Sequence, residues 1–344
     1  QRVRRPHQGG RVSATDPSTS VQERLTVPSD VRISTIKGAR FRRNRIATIG
    51  MIAAFVLAAI PLLFVIGNVV VKGLPVVTAK FLVSDIPNSA AADELSSDCE
   101  TLRKYDPTAE CDDEAVVEKA QPGMGPAVVG TLITTGLASL FAIPLGILAA
   151  IYLNEYGKQT KLARFIRFMT DVMTGVPSIV MGIFIYQLWI VKFGNNRSAL
   201  AAALALACLM LPIVVRSSEE MLRLVPNTLR EASAGLGSRT WKTTLRVVLP
   251  AALPGLVSGS MLAVARAAGE TAPVLFTIGA INSVAAAKTI TGQSTTLSVQ
   301  IYSMITNGGK LSPQMAWGAA FTLIAIVLIL TSIARGVSSR FVMR

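Results

Sequence analysis

Six stretches of the chain contain no charged residue and are apolar almost throughout: Ile46 to Val71, Pro126 to Leu153, Val172 to Val191, Ser198 to Val215, Val247 to Ala265 and Met315 to Ala334. A helix crosses a bilayer with roughly 20 apolar residues. The pattern therefore predicts an all-α, polytopic integral membrane protein with six transmembrane helices. The first run is too long, and starts too far into the chain, to be the apolar core of a cleaved signal peptide, so it is read as a permanent span. This pattern divides the chain into a tail over 1–45, a first span over 46–71, an outer segment over 72–125 and a five-helix core over 126–340.

Composition agrees with this division. Hydrophobic residues make up 51%, charged residues 16%, and mean hydropathy is +0.50, which excludes a typical soluble enzyme. The net charge of +14 raises the question of nucleic acid, and the placement of the charge answers it. With a cytoplasmic N-terminus, residues 1–45, 154–171, 216–246 and 335–344 lie inside and hold 24 of the 34 Lys and Arg but only eight of the 20 acids. Residues 72–125 lie outside, with five basic residues against eleven acidic ones. Positive charge on the inner side is an orientation signal, so both termini are expected in the cytoplasm and no nucleic-acid partner is expected.

The tail is rich in Arg, Ser, Thr and Pro without an apolar period, the composition of a solvated, disordered segment. Arg40, Arg42, Arg43 and Arg45 crowd against the first span, where they set topology and attract anionic lipid, or else dock a partner. The chain begins at Gln1 rather than Met, so preceding sequence is expected. Cys99 and Cys111 lie in the acidic outer segment, facing an oxidising compartment, where they are expected either to form a disulfide or to remain free thiols. Cys208 lies in the fourth apolar run and reads as a small buried residue. The single histidine, His7, sits in the tail. A His-based triad or a metal site with histidine ligands is therefore not expected in this chain.

The segment 216–250, between the fourth and fifth spans, is the most informative. Pro226, Asn227 and Thr228 offer a helix start, Glu231 falls in the first turn where a carboxylate suits the helix dipole, and Gly235 and Gly237 end the helix. Charge on one side and Leu229, Ala232 and Leu236 on the other shape it to press into a groove of another protein. An amphipathic loop lying on the membrane surface has the same spacing.

Here a resemblance enters. Glu231-Ala232-Ser233, three residues, Gly237, nine residues, then Val247-Val248-Leu249-Pro250 resembles the EAA loop of type I ABC-importer permeases, with Ser233 for the second Ala and Val247 for Ile. The resemblance implies that Glu231, Ala232, Gly237, Leu249 and Pro250 belong to a coupling helix and its flank, seated in a cleft of an ATP-hydrolysing subunit. The chain has no G-x-x-x-x-G-K-[ST] phosphate loop, so it is not itself expected to be an ATPase. No cofactor is expected in it. ATP and magnesium would sit on the partner subunits.

In the fifth span Arg266 and Glu270 share a helix face and can pair. Charge in a membrane span is costly, and such residues usually face a pathway or a partner. The pair either locks helix packing or lines an anion path, since a guanidinium suits phosphate-like oxyanions. Counted from Pro250, a continuous helix places Arg266 in the outer half of the membrane. The stretch Ala263 to Thr277 resembles the span-five signature of PstA-type permeases of bacterial phosphate importers, with Val274 for Leu. Ile143 to Tyr156, Val176 to Gly182 and Pro212 to Arg216 resemble the same family. That resemblance implies a type I permease fold in the bacterial plasma membrane. Arg266, Glu270 and Thr271 are the candidate substrate-pathway residues; Arg216, at the inner end of the fourth span, either takes the next position on that route or serves a lipid-facing or loop-anchoring duty. The implied partners are a second, PstC-like permease, two PstB-like ATPases and an extracytoplasmic PstS-like phosphate-binding protein. A permease for sulfate or molybdate, a channel or ion-driven transporter, and a non-transporting scaffold stand as alternatives.

Overall fold

The computed structural model describes residues 39–86, 104, 123–157, 159–307 and 312–342. Cys99 and Cys111, with the bridge expected between them, and most of the basic tail lie outside the described residues. Among those described there are helices and turns and no strand. In chain order the helices are α1 Ala39–Gly73, α2 Ala79–Val83, α3 Gly125–Ile151, α4 Lys161–Gly175, α5 Ser178–Ile185, α6 Ala199–Leu224 and α7 Asn227–Gly235. They continue with α8 Thr240–Thr243, α9 Leu249–Ala268, α10 Ala272–Thr277, α11 Val284–Ala287, α12 Leu297–Asn307 and α13 Ser312–Val342. Wider π turns over Tyr152–Tyr156, Tyr186–Lys192 and Thr244–Val248 extend α3, extend α5 and join α8 to α9.

Five helical runs among the described residues are long and apolar enough to cross a membrane: Arg42–Gly73, Gly125–Tyr156, Ala199–Leu224, Thr240–Ala268 and Pro313–Ile333. The sixth expected span, Val172 to Val191, is not one straight helix. Its first residues belong to α4, and α5 leaves at a bend of 106°. The cause is Pro177, which pushes Val176 out of the helical region to φ −75°, ψ 131°. α4 exposes Leu162, Phe165, Phe168 and Val172 beside its charged residues, an arrangement suited to the membrane surface.

The chain divides into two units, Gln1–Leu63 and Phe64–Arg344. The described part of the first is the N-terminal portion of α1, whose Phe55, Leu57, Leu62 and Leu63 are exposed as on a lipid-facing helix. Because α1 starts at Ala39, Arg40, Arg42, Arg43 and Arg45 are its opening turns rather than tail.

Small residues organise the second unit. Ala138 and Ala142 of α3 pack with Ala202, Ala203, Leu206, Met210 and Val214 of α6, and with Ala263, Val264 and Ala267 of α9. A Cβ added at Gly146 would stand 2.7 Å from Val214 Cγ1, so α3 and α6 approach as closely as their small residues permit. A second cluster joins Phe81, Ile86, Met124, Ala127, Leu297 and Met315. Part of the expected outer loop is thus folded: α2 is capped by Thr78, whose Oγ1 accepts from the Phe81 N–H at 3.2 Å. A third cluster, Ala150, Leu222, Val225, Val248, Ala252 and Leu256, ties the ends of α3, α6 and α9. α6 runs past the expected boundary at Val215 to Leu224, so the opening of the expected 216–250 loop is helix.

Candidate functional site

The short helix expected after Pro226 is present as α7. Its end is a closed turn: the Leu236 N–H donates to Ala232 O at 3.2 Å, Gly237 N–H to Ala234 O at 2.9 Å and Ser238 N–H to Ser233 O at 3.2 Å. Gly237 takes φ 76°, the left-handed conformation that such a helix stop requires and that glycine adopts without penalty. A Cβ added at Gly237 meets nothing within 4 Å, so the position is constrained by backbone and not by crowding. Glu231 and Ala232 are exposed on α7. Leu229 is exposed too, and Leu236 is 88% exposed, leaving an apolar face uncovered. Leu229, Ala232 and Leu236, with Ser233, Lys242, Arg246 and Val247, edge a shallow depression of about 370 Å³. Leu249 and Pro250 open α9 directly behind the π turn, and Leu249 packs against the cluster at the ends of α3, α6 and α9. The wider turn ahead of Pro250 suits a residue whose ring excludes the ordinary i−4 bond.

Ser233, which departs from the family pattern, is buried, and its Oγ lies 2.8 Å from Thr243 Oγ1. The opposite flank of α7 is held by Arg230. Its Nη2 donates to Glu155 Oε1 and to Leu222 O, each at 2.9 Å, and its Nη1 donates to Val225 O at 2.6 Å. A second cluster lies beside it: Glu219, only 2% exposed, accepts from Arg167 Nε at 2.9 Å and Arg223 Nη2 at 2.6 Å. Sequence reading missed Glu155, Arg230, Glu219 and Arg167. Glu155 lies next to last in the family-like segment Ile143 to Tyr156 and Arg230 immediately precedes Glu231, but they are 75 residues apart, and nothing in local spacing announces the pair.

Arg266 lies in the last turn of α9, where a cation suits the helix dipole. Its Nε stands 3.4 Å from Glu270 Oε1, with the side chains 68% and 21% exposed. The Glu270 carbonyl accepts from Ser298 Oγ at 3.0 Å, and half-buried Thr271 heads α10 with its carbonyl accepting from the Leu275 N–H at 3.0 Å. Arg216 stands apart from this group in sequence and contacts, in the C-terminal part of α6, with its Nε 3.4 Å from Glu220 and Nη1 3.8 Å from Asp171. Ser258, Leu262 and Arg266 fall at successive fours along one face of α9. Ser258 and Leu262 line an open groove of about 670 Å³ between α6, α9 and α13, together with Ser217, Gly259 and Arg335. Arg335, on α13, was not singled out from the sequence.

A match to the binding-protein-dependent transport system inner membrane component family covers residues 142–342. The chain belongs to this family. It is 40% identical to the phosphate transport system permease protein PstA 1 of Mycobacterium tuberculosis (strain CDC 1551 / Oshkosh), over 90% of this chain and 93% of the relative. It is 39% identical to PstA of Mycobacterium leprae over 83% and 85% of the two chains, and 38% identical to PstA of Haemophilus influenzae over 62% and 74%. Its fold is similar to that in the crystal structure of a bacterial ABC transporter involved in the import of the acidic polysaccharide alginate. That likeness has a TM-score of 0.50 at 14% identity and covers 88% of this chain and 99% of the other. The permease is thus a multi-pass inner-membrane component of an ABC transporter, a part that works with other subunits and is not itself the catalyst.

Proposed function

We propose that this permease forms one side of the pathway by which an ATP-driven importer moves inorganic phosphate across the bacterial plasma membrane. The observation that carries the reading is Arg266, exposed at the head of the α9 row whose lower members line an open groove. A guanidinium offers a planar fork to an oxyanion, and Glu270 at 3.4 Å restrains it and tempers its grip, so that bound phosphate can leave. Thr271 extends the polar group at that end. A similar second permease closes the groove from the other side. Arg216 shares its charge with Asp171 and Glu220, which favours an anchoring duty at the cytoplasmic end over a station on the route.

Energy enters through α7. Its exposed Leu229, Ala232 and Leu236 seat in a cleft on one of two ATPase subunits, with Glu231 at the rim, and ATP and magnesium bind there. The loaded phosphate-binding protein docks on the outer side, ATP closes the ATPase dimer, and α7 passes that closure to the spans, with both termini cytoplasmic. The similarity to relatives named as phosphate transport permeases supports phosphate over sulfate or molybdate.

The test is uptake of labelled phosphate by the purified complex in vesicles, with ATP at the face bearing α7. ATP-dependent uptake that excess phosphate suppresses, and that sulfate and molybdate leave intact, is expected. Uptake that persists without ATP would identify a channel or ion-driven carrier instead.

A further inference from the structure

We propose that Arg230 and Glu155 form a strut that makes the coupling helix move as one piece with the ends of two membrane helices. The inference rests on the reading of α7 as the coupling helix and adds the residues that transmit its motion. Arg230 uses both ends of its guanidinium. One nitrogen reaches Glu155 at the end of α3 and the carbonyl of Leu222 in α6, while another reaches the carbonyl of Val225 just beyond α6. Three elements are thus pinned by a single side chain.

The environment makes this a rigid connection. Glu155 is 6% exposed and Arg230 16%, so water competes little for either charge. Removing one partner strands the other in the interior, which makes a paired geometry hard to leave. The acceptors Leu222 O and Val225 O lie at the end of α6, where helix carbonyls lack partners within the helix. The π turn over Tyr152–Tyr156 is closed by the Gly157 N–H on Tyr152 O at 2.7 Å, and it presents Glu155 to α7. Asn154 Nδ2 donates to Glu155 Oε1 at 2.7 Å and fixes the carboxylate further.

From there the connection continues. Arg167 Nη2 of α4 donates to Leu153 O at 2.9 Å, in the same π turn, and its Nε holds Glu219 of α6. A displacement of α7 is therefore felt at α3, α6 and α4 through bonds of fixed geometry. On the far flank, Ser233 and Thr243 tether α7 to α8, so its apolar face stays uncovered while its body is braced on both sides.

The experiment compares ATP hydrolysed per phosphate taken up, in vesicles holding the complete complex, for wild type, Glu155→Ala, Glu155→Gln and Arg230→Lys. Glu155→Ala is expected to raise that ratio by about fivefold or more, the low end of typical coupling between linked sites. Glu155→Gln keeps an oxygen for the guanidinium and should recover part of the coupling. Arg230→Lys keeps the charge but loses the fork and should resemble Glu155→Ala. A purely structural role would lower hydrolysis and uptake together and leave the ratio at the wild-type value. That outcome in Glu155→Ala or Arg230→Lys, in a complex that assembles, overturns the strut, and so does failure of all three to assemble. A wild-type complex that hydrolyses ATP without moving phosphate would defeat the underlying functional reading, an outcome read from the control alone.

Discussion

Gly182 of α5 lies against the backbone of Pro273 in α10: a Cβ built on the glycine would stand 2.5 Å from Pro273 Cα and 2.7 Å from its carbonyl oxygen. Each residue belongs to a segment recognisable in the sequence, Val176 to Gly182 and Ala263 to Thr277, yet they are far apart along the chain. Their meeting gives both segments a common physical purpose. The contact lets α5, entering after the bend at Pro177, rest on the short helix that follows Glu270 and Thr271. A glycine is required there because any side chain would meet main-chain atoms, which cannot swing aside.

Gly182→Val is accordingly expected to destabilise the permease by about 1–3 kcal/mol, the usual cost of forcing extra carbons into a filled interface. The midpoint of thermal unfolding of the purified complex would fall. An unchanged midpoint would show that α5 and α10 do not pack as closely as described.

Gly237 predicts a contrast between two substitutions. Its left-handed φ of 76° tolerates asparagine better than other side chains, and an added Cβ meets nothing within the chain. Gly237→Asn should therefore retain most transport. Gly237→Arg strains the same turn and adds a bulky cation where the ATPase cleft is proposed to close, so ATP hydrolysis and transport should become uncoupled. Normal transport by Gly237→Arg would remove α7 as the coupling helix.

The apolar runs disclosed five of the membrane helices because hydrocarbon demands an uncharged run, and that demand is local. The run Val172 to Val191 meets the same demand, but the 106° bend that Pro177 puts into it is a matter of backbone geometry that an uncharged run does not disclose. α7 was legible because Pro226 and Gly237 punctuate it at both ends. Arg230, Glu155, Arg167 and Glu219 were illegible for a different reason. Each looks like an ordinary charge near a membrane surface, and only the tertiary arrangement shows Glu219 and Glu155 withdrawn from water and satisfied by arginines from other helices. The span-five pair fell between these cases. Its i, i+4 spacing gave the contact, and the fold supplied the exposure of Arg266.

Ser233 offers a test of how α7 is tethered. Thr243→Val leaves the buried Ser233 hydroxyl without its 2.8 Å partner and should cost about 1–3 kcal/mol. Ser233→Ala should cost less, because Thr243 Oγ1 also lies 3.5 Å from Arg239 O. Ser233→Ala combined with Thr243→Val should lose less stability than the two single changes summed, since no hydroxyl is then stranded. Strict additivity in thermal unfolding would indicate that the two hydroxyls do not interact.

Arg266 separates the pathway from mere packing. Its side chain is more than half exposed and its pair with Glu270 is long, so as a structural element the pair is worth little, about 0–1 kcal/mol for exposed ion pairs. Arg266→Gln should therefore leave assembly and binding-protein docking intact while phosphate uptake falls by at least about tenfold, the effect of losing one charge-assisted contact of roughly 1.5–3 kcal/mol. If the pair served packing alone, Arg266→Gln combined with Glu270→Gln would restore uptake, because two neutral amides still bond and no charge is left without its partner. As a pathway residue, Arg266 supplies positive charge that no amide replaces, and the double variant stays inactive. Glu270→Gln alone then has its own signature: the unrestrained guanidinium should hold phosphate more tightly, lowering the phosphate concentration at half-maximal uptake while slowing release and turnover. Recovery of uptake in the double variant would end the pathway role of Arg266, and continued loss in a well-assembled complex would support it.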